Sequence, residues 1–276
     1  MGNALFFPVP PPVPGGAGFP TSRTPQATSG RLGSEGLEVE QGRTEKRRTR
    51  DQERKRRRML QLTSRDEAML DWMNVVRLAD VDAIRWALSA YQEDHDGPVS
   101  VRRANHWIAR MAELGYLGRV RPVYRDRQIV WPTHQSSGRS RPRLFRQTMR
   151  HELAVASISA RYLAAGYAWA RDSRPGAISS HQADGVALLP NGHELVEVEL
   201  TSKTAVRYSG IMRDHAGRLG RGDVLKVCYF TTEEVGRTVK READQFLFRD
   251  VRPLLVVRPV LDLYGPPAIG AFDLQS

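Results

Sequence analysis

His181-Gln-Ala-Asp184-Gly-Val-Ala-Leu-Leu-Pro190-Asn191-Gly192-His193-Glu-Leu-Val-Glu197-Val-Glu199-Leu-Thr-Ser-Lys203 holds two alternating runs around a turn signal. Asn191-Gly192 suits a two-residue hairpin loop, because both residues tolerate positive φ. With that loop Pro190 faces His193, Asp184 lies opposite Glu199, and Val186 lies opposite Glu197. The period of two then puts Asp184, Glu197 and Glu199 on one face and Val196, Val198 and Leu200 on the other. Like charges opposed across strands repel, so three acids on one face call for a cation or a shared proton. Hard oxygen donors favour Mg2+ or Mn2+. Such an ion can activate water at a phosphodiester. The alternative is a polar sheet face open to water, with Glu194 and Glu197 solvated. A one-residue slip would separate Asp184 from the other two acids.

Working outward toward the C-terminus, the spacing predicts helices over 203–219 and 232–248. They alternate with strands from Val224 to Phe230 and from Leu254 to Val257. Alternation of this kind implies a mixed α/β sheet covered by helices. Toward the N-terminus a helix is expected from about Leu144 to Ala165, with Met149, Leu153, Ala156 and Leu163 in its core. His134 to Arg143 is rich in Ser, Gly, Arg and Pro and reads as a linker.

The first half has a different texture. Thr63 or Ser64 can cap a helix bearing Asp66 and Glu67 in its first turn. A second short helix carries Val81, Ile84, Trp86 and Leu88. Ser100 can cap a third, Val101 to Leu114, ended by Gly115. Its core stripe is Val101, Ala104, Ile108 and Met111; Arg102, Arg103, Asn105, His106 and Arg110 occupy the other side. Short strands follow at Tyr116-Leu117, Val120 to Tyr124 and Gln128 to Trp131, the last two joined by a turn at Arg125-Asp126. Three helices and then a hairpin is the order of a winged helix-turn-helix, whose third helix enters the major groove while the wing touches backbone or minor groove. The expected DNA contacts are Arg102, Arg103, His106 and Arg110 on the helix and Arg125 and Arg127 on the wing. The alternative is a small helical domain that only packs.

Charge follows the same division. The chain has 42 basic and 31 acidic side chains among 276 residues, net +11. Residues 1–42 are net −1, 43–58 net +7, 59–150 net +5 and 151–276 neutral. A polyanion is therefore expected on the first half. Residues 1–42 hold 7 of the 17 prolines and 8 of the 23 glycines and show no helical or strand period, as a disordered tail does. Arg43 to Arg58 reads either as a solvated charge run or as a nonspecific DNA arm.

His151-Glu-Leu-Ala-Val-Ala, then Gln-Ala-Asp184-Gly-Val, then Glu197-Val-Glu-Leu-Thr-Ser-Lys203-Thr, then Arg207-Tyr208, resemble the actinobacterial plasmid replication-relaxation family over about residues 60–235. The resemblance implies an α+β architecture. A disordered tail and basic arm (1–58) precede a winged helix (59–133), a linker (134–143) and a domain similar to PD-(D/E)XK restriction endonucleases (144–276). It also implies a role in plasmid replication or mobilisation. The nuclease pattern is altered here: Ala183-Asp184 stands for Pro-Asp, and Glu199 stands where Lys is usual. Lys203, four residues on, is the expected phosphate or transition-state contact or else a partner of Glu199. Glu152, on the first helix of the domain, is the expected fourth metal residue beside Asp184, Glu197 and Glu199, with His151 next to it.

Other chemistries find no support in the pattern. No phosphate loop ending in Gly-Lys-Ser/Thr occurs, which argues against ATP use. No paired-His motif occurs, so histidine relaxase chemistry is not expected. The one cysteine, Cys228, sits in an apolar strand and reads as core. No apolar run approaches a membrane span, and the proline-broken start does not read as a secretory leader. A cytoplasmic protein acting on double-stranded DNA, alone, as a homodimer or with replication proteins, is the expectation. Metal-dependent cleavage or nicking is its leading chemistry, and a non-catalytic DNA-binding regulator with a degenerate nuclease fold is the alternative.

Overall fold

Thr63 opens helix α1 (Ser64–Val76) with a reciprocal cap. Its hydroxyl accepts from the Asp66 amide at 3.3 Å, and Asp66 Oδ2 accepts from the Thr63 amide at 2.8 Å. Such a box satisfies two otherwise orphaned N–H groups and is worth about 1 kcal/mol. The computed structural model describes residues 61–92, 97–122, 127–144, 148–172, 181–222 and 224–260. The tail, the basic arm and Arg125 lie outside the described residues.

Asp80 ends a two-residue strand, β1 (Ala79–Asp80), and caps α2 (Val81–Ser89) through the Ala83 amide at 2.9 Å. Ser100 caps α3 (Val101–Glu113). Ala104, Trp107, Ile108 and Met111 form its buried stripe, while Val101, expected in that stripe, is 51% exposed because it lies in the solvated first turn. Strands β2 (Leu117–Val120) and β3 (Ile129–Pro132) follow, and the sheet order is β1-β3-β2, all antiparallel. Met69, Met73, Ile84, Ile108 and Met111 meet in its core.

The second half begins with a short helix, α4 (His134–Ser137), inside the stretch expected as linker. Helix α5 (Thr148–Ala164) then leads to a five-stranded sheet ordered β4-β5-β6-β7-β8. Its strands are β4 (Ala168–Ala170), β5 (Gly185–Leu189), β6 (Gly192–Glu199), β7 (Val224–Thr231) and β8 (Leu255–Pro259). The first two pairings are antiparallel and the last two parallel. Helices α6 (Ala205–Gly220) and α7 (Glu233–Phe246) make the parallel crossovers. Ala154, Val155, Ile158 and Tyr162 of α5 cover one face through Val196, Val198, Cys228 and Phe230. Tyr208, Met212, Val235 and Val239 cover the other through Val186, Leu195, Val227 and Tyr229.

The hairpin register differs from expectation by two residues. Leu189 pairs with Gly192 and Gly185 with Val196, so the loop is Pro190-Asn191 rather than Asn191-Gly192. Val186 thus faces Leu195, and Asp184, one step beyond the last pair, aligns with Glu197 instead of Glu199. The cause is local. Proline has its φ pre-set for the first central turn position, and Gly192 takes the positive φ (+147°) at the strand end, where a Cβ would stand 2.7 Å from Leu225 Cγ. A shift of two preserves the faces.

Helix α5 serves both halves. Ala156 and Ala160 join the core of the first three helices, Trp72 Nε1 donates to Ser159 Oγ at 3.0 Å, and the buried Arg161 meets Asp82 at 3.1 Å. The described residues all fall in one compact unit. Among the described residues the protein is α+β, with seven α-helices and two sheets, and no helix is long and apolar enough to cross a membrane.

Candidate functional site

Glu197 and Glu199 are buried, 4% and 7% exposed, and Asp184 is half-buried, so the three acids are not a solvated face. Each meets a base from a different segment. Asp184 Oδ2 accepts from the Val198 amide at 2.8 Å and lies 3.0 Å from His151 Nε2 of α5. Glu197 Oε1 lies 2.6 Å from His181 Nε2 and 3.6 Å from His215 Nε2 of α6. Glu199 forms an ion pair with Lys203, which lies in the loop before α6 because Thr204, not Lys203, is the N-cap. The repulsion expected of three clustered carboxylates is thus answered by four side-chain bases, two of them on Glu197.

The neighbouring chain fixes these groups. The buried Asp172 accepts from Arg218 through both oxygens at 2.6 and 2.9 Å and from the Ala183 amide at 2.9 Å, tying the segment before β5 to α6. Gly185 follows Asp184 with no side chain: a Cβ there would come 2.0 Å from Trp169 Cζ2. Tyr208, Ile211, Met212, His215 and Leu219 form the buried stripe of α6, which turns His215 onto the sheet. Its Nε2 is 3.0 Å from the Tyr229 hydroxyl, and its Nδ1 is buried with no hydrogen-bond partner.

Protonation follows from burial and these partners. Burial, with His181, Arg218 and Lys203 beside it, pulls His215 down to about 3, so the ring is neutral. Burial opposes charge on His151 and His181, but Asp184 and Glu197 respectively outweigh it and raise both above the usual 6.5. Burial, helped by Asp184, raises Glu197. Burial lowers Lys203 against the pull of Glu197 and Asp184. In an NMR titration of the metal-free chain, His151 and His181 should titrate above 6.5 and His215 should stay neutral to below pH 4. A His215 midpoint near 6.5 would contradict its burial. The linkage signs differ. The His151 and His181 pairs stabilise the fold fully below 6.5, and this is lost as pH rises through their raised values. His215 costs stability as pH falls from 6.5 toward 3, because only the unfolded ring takes the proton.

His181, Glu197 and His215 each offer a donor atom within 4.8 Å of the others and together can hold a metal ion. Both histidines were missed in the sequence, which showed no paired-His motif, because they lie 34 positions apart and only the fold joins them. One signal was present: His215 is the polar member of an otherwise apolar stripe on α6.

The other expected residues are placed as follows. Glu152 lines a pocket with Arg77, Arg139, Arg141 and Arg143, and its neighbour His151 is the residue that reaches Asp184. Arg102, Arg103 and His106 are exposed on α3. Arg110 is tied to the buried Asp66 and donates to the Gln61 carbonyl at 3.2 Å. Arg127 lies 3.7 Å from Asp80. Cys228 is 1% exposed, and burial beside Glu194 pushes its thiol up to about 11. Comparison with family models, curated proteins and solved structures finds no match to the chain.

Proposed function

We propose that the chain is a cytoplasmic DNA-binding protein of plasmid or mobile-element replication or mobilisation, in which a winged helix-turn-helix is joined to a restriction-endonuclease-like domain that cuts or nicks DNA with a metal ion. The order α1-β1-α2-α3-β2-β3, with β1 beside β3, supports the winged helix, and the exposed Arg102, Arg103 and His106 supply base- and phosphate-reading groups on α3. The observation that carries the chemistry is the meeting of Asp184 and Glu197 at one end of β5 and β6, with Lys203 beside them.

His181, Glu197 and His215 would hold the ion, with the charge of Asp184 beside Glu197. Carboxylates alone suit Mg2+, whereas two imidazoles shift the preference toward Mn2+ among the hard-to-borderline ions. When bound, the ion supplies Lewis-acid stabilisation of charge on a phosphodiester. His215 stays neutral, as a ligand must. Lys203, half-buried and held by its amide on the Tyr208 hydroxyl at 3.3 Å, presents a cation for the phosphate.

Supercoiled plasmid incubated with the full chain and Mn2+ should convert to nicked or linear form, and a chelator should stop it. Plasmid that is bound yet uncut would favour the second reading, an accessory DNA-binding factor acting with a second copy or with replication or mobilisation proteins. The Glu199–Lys203 pair favours that reading, since it occupies the usual lysine position with an acid and engages the nearby lysine.

A further inference from the structure

Four arginines, Arg77, Arg139, Arg141 and Arg143, line a pocket of about 570 Å³ between the end of α1 and the start of α5, with Glu152 its one acidic lining residue. None of the four forms an ion pair with a described residue. Two of them are held by uncharged groups instead. Arg139 Nη1 donates to the Asn74 carbonyl at 2.9 Å, and the Arg141 guanidinium lies 5.0 Å over the Trp131 ring. Arg171, anchored on the Val75 carbonyl at 2.7 Å, feels the charges of Arg77 and Arg139 as well as those of Glu152 and Asp184. Glu152, in the pocket wall, directly follows His151, which reaches Asp184 at 3.0 Å, so the arginine cluster lies one residue of α5 away from the carboxylate site.

A backbone feature lies at the same place. Arg77 has φ +73°, and it is the only non-glycine residue with positive φ among the described residues. Arg77 is the C-cap of α1, its amide donating to the Met73 carbonyl at 2.8 Å, and the surrounding structure holds its backbone in this unfavourable region, as happens at helix ends and at ligand clamps. Four clustered guanidiniums with a single carboxylate among them repel one another, and their forked N–H donors match phosphate oxygens two at a time. One inorganic phosphate would satisfy one or two of them. A backbone with regularly spaced phosphates satisfies all four.

We infer that this pocket clamps consecutive phosphates of the DNA strand that runs to Asp184, a contact separate from α3. The inference rests on the DNA reading above but not on cleavage. It also assigns a task to residues 138–143, which the sequence presented as a linker.

The test is fluorescence anisotropy of the full chain on a labelled duplex of arbitrary sequence, repeated across salt concentrations. Each phosphate contact removed lowers the slope of log affinity against log salt by about one. The double variant Arg141→Ala/Arg143→Ala should lose about two. Arg77→Gly should lose about one while its melting temperature holds or rises, because glycine accepts positive φ without strain. Arg237→Ala, on the exposed face of α7, should leave the slope unchanged. Wild-type binding with unchanged slopes in both pocket variants would overturn the clamp alone. No binding by the wild-type chain would overturn the DNA reading with it, and slope losses without any cleavage would uphold the clamp while the nuclease reading fell.

Discussion

Asp184→Asn and Glu197→Gln should each abolish manganese-dependent DNA cleavage while leaving duplex affinity nearly unchanged. Both substitutions keep the shape of the side chain and remove its charge. Asp184 is fixed by the Val198 amide and His151, and Glu197 by His181, so an amide at either position keeps a polar partner and the fold survives. What disappears is the negative charge that would hold an ion against the phosphodiester. Affinity for the duplex is expected to lie in the exposed basic groups of α3 and of the arginine pocket, which neither change touches. His215→Ala separates the metal from the acids. It should weaken calorimetric Mn2+ binding by more than the roughly 10–100-fold that loss of an outer-shell partner costs, with both acids intact. Cleavage retained in Glu197→Gln, or full manganese heat in His215→Ala, would defeat the metal assignment.

The largest stability loss is expected far from that site. Asp66 is fully buried and accepts from Thr63 Oγ1 at 2.7 Å and Trp107 Nε1 at 2.9 Å, besides its ion pair with Arg110. Asp66→Ala leaves a guanidinium and an indole N–H without their acceptor and opens the α1 cap. Removing one partner of a buried pair costs about 3–5 kcal/mol, to be read from urea unfolding. Asp66→Asn, which keeps one acceptor, should cost less. Burial opposes charge on Asp66, but Arg110, Thr63 and Trp107 outweigh it and hold its pKa below 3.8. The contribution is therefore present above 3.8 and is lost as pH falls through the lowered value. A midpoint shift in Asp66→Ala no larger than in a surface variant would refute this network.

Local grammar made much of this architecture readable. Caps at Thr63 and Ser100, the three-and-four spacing of Ala104, Ile108 and Met111, and the alternation of β6 each act within a few residues of chain. The face shared by Asp184, Glu197 and Glu199 was legible for the same reason: a two-residue register error moves every pair but no side chain to the other face. The loop itself was misread because Asn-Gly is a strong hairpin signal, while Pro190, one residue earlier, fits the first turn position better. His181 and His215 were not legible as a pair, and neither was the answer of four bases to three acids. Those contacts depend on where α5 and α6 cross the sheet, and no spacing in the chain encodes a crossing. Arg110 shows the opposite failure. Its helical position suggested a solvent-facing contact, but a carboxylate 44 residues earlier claims it.

Helix α5 lends its side chains to two cores at once, through Ser159 and Arg161 on one flank and Ile158 and Tyr162 on the other. A domain pair joined by a free tether can swing, and its two ends can engage DNA at many separations. A pair sharing a helix cannot. If α3 seats on a base sequence, the rigid span from α3 to Asp184 acts as a ruler, and the reacting phosphate falls at one set number of base pairs from the sequence that was read.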